Sequence, residues 1–173
     1  MKTERIILTL KAEDRPGLLH LVTGMIEKRL TKIKSLSLAP TDIHDIVLIT
    51  VELNIAESEL TTLVFKLENI IEVFSVEATR YNERLCLRAA YFKLSKKFLD
   101  SPKAIVLSKY ETNIIKFYPQ AFLIAKYGTD ATILKLYNEL EGPHLLGFSQ
   151  TGLITDSNLI GEDRSSVINR LAA

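Results

Sequence analysis

The chain has 173 residues, with 22 Lys and Arg against 21 Asp and Glu, and 47% of its residues are hydrophobic. This balance of charge excludes a field that would concentrate nucleic acid or an anionic membrane around the protein, and the apolar content excludes a disordered chain. One cysteine allows no internal disulfide. No apolar run reaches the roughly 18 residues of a membrane-crossing helix, and no signal-peptide pattern is found, so we expect a globular cytoplasmic protein.

The first 80 residues predict the order βαββαβ. Alternating or β-branched apolar residues predict strands at 5–11, 33–40, 46–53 and 73–78. Apolar residues at helical spacing predict helices at 18–30 and 60–71, and the acidic pair Glu57 and Glu59 suits the start of the second helix. This order is that of a ferredoxin-like α+β domain, in which helices cover one face of a four-stranded antiparallel sheet.

The other face of this sheet is also expected to be buried. Apolar residues occupy both odd and even positions of the strand 46–53, whereas a strand with one solvent-exposed face alternates apolar with polar residues. A second copy of the chain could cover that face and protect an edge strand. We therefore expect a homodimer.

The second half of the chain predicts the same order again. Strands fit residues 85–94, 113–118, 122–127 and 145–149, and a short helix follows Pro102. Thr129 can cap a further helix, which Gly142 and Pro143 end. These patterns predict two domains, at 1–80 and 84–155, followed by a tail at 156–173 that is either flexible or a short helix.

The loop before the first helix has the composition of a ligand-binding turn. Asp14 can act as an N-cap, Pro16 suits the first turn, and Gly17 leaves the backbone bare. Free N–H groups at a helix start favour a carboxylate, and Asp14 can hold an ammonium group, so an α-amino acid is a matched ligand. The alternative is a capped helix start that binds nothing.

Two segments carry a resemblance to a known family. An ACT domain is resembled by two segments, the loop Asp14-Arg15-Pro16-Gly17-Leu18-Leu19 and the strand Ile33-Lys34-Ser35-Leu36-Ser37-Leu38-Ala39-Pro40. The sequence of that strand is similar to the one found in the small regulatory subunits of acetolactate synthase. Phe148-Ser149-Gln150-Thr151-Gly152 stands where this family has an Arg-Thr-Gly or Arg-Ser-Gly turn. The resemblance covers nearly the whole chain.

The resemblance implies a dimer whose paired ACT domains bind a branched-chain amino acid, typically valine, as feedback control of a separate thiamine-diphosphate-dependent catalytic subunit. It implies that the ligand lies between the loop before the first helix of one chain and the beginning of the second strand of the other chain. The implied ligand-binding residues are Asp14, Arg15, Pro16, Gly17, Leu18 and Leu19, with Lys32 and Ile33 of the other chain opposite. The family usually has Asn at Asp14 and Lys32 and Arg at Gln150, so this chain resembles a divergent member.

Catalytic and metal-binding patterns are not found in the sequence. His20, His44 and His144 have no metal-ligand spacing and no base-orienter pairing. Cys86 lies in an apolar strand and is expected to be an inert, buried thiol. We expect no catalytic residue, metal or cofactor. Two alternatives stay open: a stand-alone amino-acid sensor acting on another enzyme or a transcription factor, and a small enzyme on the same fold.

Overall fold

The computed structural model describes residues 3–28 and 31–156. These residues form two compact units, one made of 3–86 with 152–156 and the other of 87–151. The architecture is α+β, and each unit is built around an antiparallel sheet in the predicted βαββαβ order. The predicted fold class is therefore confirmed.

The first unit has its strands in the order β2-β3-β1-β4, so β2 and β4 are the edges. Strand β1 pairs antiparallel with both β3 and β4 and lies at the centre. The bounds of the elements are β1 Thr3–Glu13, α1 Leu18–Glu27, β2 Ile33–Pro40, β3 Ile46–Ala56, α2 Glu57–Glu68 and β4 Val73–Arg80.

The core of this unit follows from the alternation seen in the sequence. Every second residue of β1 points toward the helices, and Leu8 and Leu10 are fully buried there. Helix α1 places Leu18, Val22 and Ile26 on one side, at the three- and four-residue spacing of a helical stripe. This packing fixes the start of α1 against the sheet.

The opposite sheet face is buried although part of it is polar. On β3 this face carries Thr50 and Glu52. Apolar residues therefore lie on both faces of the sheet near the beginning of the strand, before Thr50. Glu52 is 1% exposed and accepts hydrogen bonds from Arg5 Nε at 2.8 Å and from Ser35 Oγ at 3.0 Å. The expected burial of this face is therefore confirmed at Thr50 and Glu52, although both residues are polar.

Part of this face is covered by the chain itself. Ile7, on β1, packs in a separate buried cluster with Cys86 and Leu153, and Tyr81 lies against them. Leu153 precedes the short strand β9, Ile154–Thr155, and is 1% exposed. A second copy of the chain is not needed to bury these side chains, because segments that follow β4 and β8 already do so.

The second unit has its strands in the order β6-β7-β5-β8. Thr129 caps α4 as predicted, since its Oγ1 accepts a hydrogen bond from the Thr132 N–H at 3.3 Å. The bounds are β5 Cys86–Ser95, α3 Ile105–Lys109, β6 Asn113–Phe117, β7 Ala121–Gly128, α4 Asp130–Leu140 and β8 Leu145–Gln150, with 3-10 turns at Lys96–Phe98 and Pro102–Ala104.

Two predicted apolar stripes differ in detail. Helix α2 ends at Glu68, and Ile71 falls in the following turn with 93% of its surface exposed, while Ile70 is buried. In α3 the buried residue is Val106 and Ile105 is 73% exposed. The shift in α2 arises because the helix ends three residues before its predicted end. No helix in the described ranges is long and apolar enough to cross a bilayer, and the predicted tail beyond Asp156 lies outside them.

Candidate functional site

The loop between β1 and α1 is held to the sheet by main-chain hydrogen bonds. The Glu13 N–H donates to the Glu72 carbonyl at 2.8 Å, and the Asp14 N–H donates to the Asp45 carbonyl at 2.8 Å. Asp45 has a φ of 58°, in the left-handed region. The two bonds anchor the loop just before the helix begins.

Gly17 is the N-cap of α1, with φ 92° and ψ −14°. Its carbonyl accepts from the Leu21 N–H at 3.1 Å, and the Leu18 N–H donates to the Arg15 carbonyl at 3.2 Å. No side chain within residues 3–28 and 31–156 caps this helix. The N-cap role predicted for Asp14 is therefore wrong: a turn at Arg15 separates Asp14 from the helix, and the left-handed glycine starts it instead.

The helix start is open within one chain. A Cβ built on Gly17 meets no atom of the described chain within 4 Å, and Asp14, Arg15 and Pro16 are exposed on the approach to it. Leu18 is 2% exposed and anchors the helix in the core, whereas Leu19 is 40% exposed beside the opening. The Leu18 N–H already donates to the Arg15 carbonyl, but the next N–H groups of the first turn have no intrahelical acceptor, so this opening presents hydrogen-bond donors.

Charged groups around the loop have different roles. Arg15 forms an ion pair with Glu13 Oε1 at 2.9 Å, and the hydrogen bond from this side chain to Glu13 raises the pKa of Arg15. The Asp14 carboxylate makes no hydrogen bond or ion pair within the residues described. Sequence reasoning did not assign a role to Glu13, although its spacing of two from Arg15 places both side chains on one side of an extended segment.

Lys32 and Ile33 lie at the other end of α1. The helix has 10 residues between Gly17 and its C-terminal end, which is about 15 Å at the usual rise of an α-helix. Lys32 is exposed, and Ile33 is half-buried opposite Leu53 of β3. One chain therefore does not bring these two residues to Gly17, and any meeting of the two sets of residues needs a second chain.

The remaining candidates stay apart in the structure. His44 is exposed beside Asp45, at 2.7 Å, and His144 Nδ1 lies 2.9 Å from Ser95 Oγ. Within the described ranges no three His, Cys, Asp or Glu side chains are arranged to hold a metal ion. Cys86 is 4% exposed, which confirms its predicted burial.

The turn at residues 150–152 has a structural role in each unit. Thr151 exchanges hydrogen bonds with Ala89: its Oγ1 accepts from the Ala89 N–H at 3.1 Å, and its own N–H donates to the Ala89 carbonyl at 2.9 Å. A Cβ on Gly152 would lie 3.2 Å from Ser37 Cβ and 3.3 Å from the Leu36 carbonyl oxygen. A side chain at Gly152 would therefore press against β2, and this close approach favours glycine.

Fold and site together describe a protein with two small α+β units, whose first helix begins at an exposed, uncapped glycine. No family model matches the sequence, and no curated protein matches it. The similarity is found among solved structures. The acetolactate synthase small subunit from Thermotoga maritima is 14% identical, covers 88% of this chain and 96% of its own, and has a TM-score of 0.79, so the two chains share a fold.

Two other solved structures are less similar. The ACT domain of GTP pyrophosphokinase from Chlorobium tepidum is 28% identical over 45% of this chain and 100% of its own, with a TM-score of 0.40. The regulatory subunit of aspartate kinase from Thermus thermophilus is 10% identical over 81% of this chain and 95% of its own, with a TM-score of 0.42.

Proposed function

We propose that this chain is a non-catalytic regulatory subunit of acetolactate synthase that binds a branched-chain amino acid and controls a separate catalytic subunit. The observation that carries the proposal is the exposed helix start at Gly17, where no side chain caps the first turn and a Cβ would meet no described atom within 4 Å. The shared fold with an acetolactate synthase small subunit supports it. Such a subunit acts in the cytoplasm, in branched-chain amino acid biosynthesis, and needs no cofactor of its own.

The chemistry of the loop favours an α-amino acid with a small apolar side chain. The ligand's carboxylate accepts hydrogen bonds from the first-turn N–H groups, where the helix dipole also favours negative charge. Asp14 supplies an exposed carboxylate for the ammonium group, and Leu19 supplies apolar surface for the side chain. Valine is the ligand of this class that we test first.

A homodimer completes the site in this proposal. Strand β2 is an edge of the first sheet, and Leu38 on it is 40% exposed, so this edge is suited to pairing with a second copy. A second copy would bring its Lys32 and Ile33 opposite the Gly17 loop. The first unit would then sense the amino acid, and the second, residues 87–151, would contact the catalytic subunit.

Binding is tested by calorimetric titration of the full chain with valine, leucine and isoleucine. We expect saturable heat with at least one of them and a dimer by light scattering. Gly17→Asp should abolish the part of the heat that arises at the Gly17 loop, because it puts a carboxylate where the ligand's carboxylate docks. Gly142→Asp is the matched control: it also replaces an open glycine of positive φ, yet it lies in the second unit. Titrations without heat for all three amino acids would reject the sensor.

Control of a catalytic subunit is tested separately by reconstitution. Adding the chain to a thiamine-diphosphate-dependent acetolactate synthase catalytic subunit should raise its activity, and valine should lower the activity of the complex. Gly17→Asp should keep the activation and lose the response to valine. Amino-acid binding without any association at micromolar concentration would reject the subunit and favour the stand-alone sensor.

A further inference from the structure

A cleft in the second unit lies between helix α4 and the edge strand β8. Its volume is about 480 Å³, which is within the range of pockets that hold small molecules. One end of the cleft is polar and the other is apolar. The residues that define it are Arg88, Asp130, Ile133, Tyr137, Phe148 and Gln150.

The polar end is a fixed pair of opposite charges. Arg88 Nε donates to Asp130 Oδ1 at 2.5 Å, and Arg88 Nη1 donates to the Thr151 carbonyl at 3.0 Å. The Arg88 side chain is 7% exposed and that of Asp130 is 31% exposed. The two charges largely neutralise each other, but both border the cleft, where the partly desolvated surroundings strengthen the attraction of each charge for an opposite charge on a ligand.

The apolar end is an aromatic wall. The Phe148 ring centroid lies 5.0 Å from that of Phe92 and 5.0 Å from that of Tyr137, in an edge-on contact with the latter. These neighbours fix its orientation, yet Phe148 is 39% exposed although it lies on the helix-covered side of the sheet. Apolar surface held rigidly in a concave site favours an apolar ligand group.

We propose that this cleft binds an α-amino acid with an apolar side chain, at a site distinct from the Gly17 loop. The carboxylate lies toward Arg88, the ammonium group toward Asp130, and the side chain on Phe148 and Tyr137. A zwitterion places an opposite charge next to each member of the ion pair. A simple anion would face the Asp130 carboxylate, and a simple cation would face the Arg88 guanidinium, and both contacts are repulsive.

A tryptophan reporter tests this binding without a contribution from the first unit. The chain has no tryptophan, and Leu134 lines the cleft with 60% of its surface exposed, so Leu134→Trp gives one local fluorophore. Ile105→Trp is the matched control, because Ile105 is 73% exposed in the same unit but does not line the cleft. Leucine and phenylalanine should change the fluorescence of Leu134→Trp with saturation and leave that of Ile105→Trp unchanged.

The zwitterion is tested with two analogues of leucine. 4-Methylpentanoate lacks the ammonium group and 3-methylbutylamine lacks the carboxylate, and each should bind at least about tenfold more weakly than leucine. In Asp130→Asn the preference should reverse, so that 4-methylpentanoate binds more tightly than leucine. A merely structural role for Asp130 would weaken all three ligands alike.

A second variant keeps the test decisive if Asp130→Asn does not fold. Gln150 is exposed at the rim, and Gln150→Glu should weaken leucine about tenfold by placing a carboxylate near the ligand's own. The proposal is overturned by an unchanged signal with both amino acids, by equal affinity for leucine and its analogues, or by leucine affinity that Gln150→Glu does not alter. A leucine signal from Leu134→Trp that persists with Gly17→Asp, while the reconstituted complex loses its response to valine, separates this cleft from the first site.

Discussion

Gly17 is favoured by its backbone conformation, and not by a lack of room for a side chain. Its φ of 92° lies in the left-handed region, where an L side chain is strained by about 1–2 kcal/mol. An added Cβ meets no described atom within 4 Å. Gly24, in the same helix, also has open space but needs no positive φ. The two glycines therefore differ in backbone conformation but not in the space around them.

We predict opposite effects of alanine at these two positions. Gly17→Ala should lower the free energy of unfolding by about 1 kcal/mol because of the left-handed backbone, whereas Gly24→Ala should raise it by roughly 0.5–1 kcal/mol because alanine favours a helix interior. Urea denaturation of both variants measures this. Equal effects of the two substitutions would mean that the helix does not start at Gly17 as described.

Asp14 illustrates what residue types alone leave undecided. An aspartate just before a helical pattern is a good N-cap candidate, but several cap geometries are compatible with Asp-Arg-Pro-Gly. The hydrogen bond from its N–H to the Asp45 carbonyl, from a hairpin turn 31 positions away, keeps Asp14 outside the helix. That contact is tertiary and has no local signal in the sequence.

Between elements, one ionic cluster joins α3 to α4 in the second unit. Glu139 Oε1 accepts hydrogen bonds from Lys109 Nζ and from Tyr110 Oη, both at 2.6 Å. The hydrogen bond from Lys109, followed by that from Tyr110, lowers the pKa of Glu139 below its ordinary value of 4.5. The ionised carboxylate therefore holds the short helix α3 to its neighbour.

We predict that this cluster makes the stability of the second unit sensitive to acid. A lowered pKa means that the stabilisation is fully present above about pH 4.5 and is lost as the pH falls through the lower folded value. Glu139→Gln should thus be less stable than the natural chain at pH 7, and the difference should shrink below pH 4.5. Denaturation curves between pH 3 and pH 7 check this.

The control for this prediction is a double-mutant cycle with Lys109→Gln. If the two side chains act together, the double variant should be little worse than Glu139→Gln alone. Additive losses would show that Lys109 is not the partner through which Glu139 stabilises the unit.

At the scale of the whole molecule, the chain returns to its first unit after completing the second. Residues 152–156 group with residues 3–86, and Ser37 Oγ donates to the Leu153 carbonyl at 3.2 Å. Leu153 packs with Ile7 and Cys86 in a cluster separate from the main core. The first unit is therefore complete only when residues far along the chain are in place.

We predict that Leu153→Ala destabilises the first unit selectively, by about 2–4 kcal/mol, because it removes a side chain that is 1% exposed. Hydrogen exchange measured by mass spectrometry should show faster exchange in β1 and little change in β7, and alkylation of Cys86 should accelerate. Ile154→Ala is the matched control, since Ile154 is 66% exposed. Equal acceleration in β1 and β7 would contradict this assignment.

The sequence by itself determined the α+β class, the βαββαβ order of both halves and most of the core, because periods of two and of 3.6 residues reflect which side of each element is buried. It also predicted the Thr129 cap, which depends only on residues three apart. These features are local, so nearby residues suffice to encode them.

Only the tertiary structure decided three features that depend on distant contacts. They are the covering of Ile7 by Cys86 and Leu153, the displacement of Asp14 from the helix cap, and the cleft at which Arg88 meets Asp130. Arg88 and Asp130 lie 42 positions apart on a strand and a helix. Their meeting depends on strand register and helix packing, which are set by the burial of many side chains at once and leave no pattern at either position.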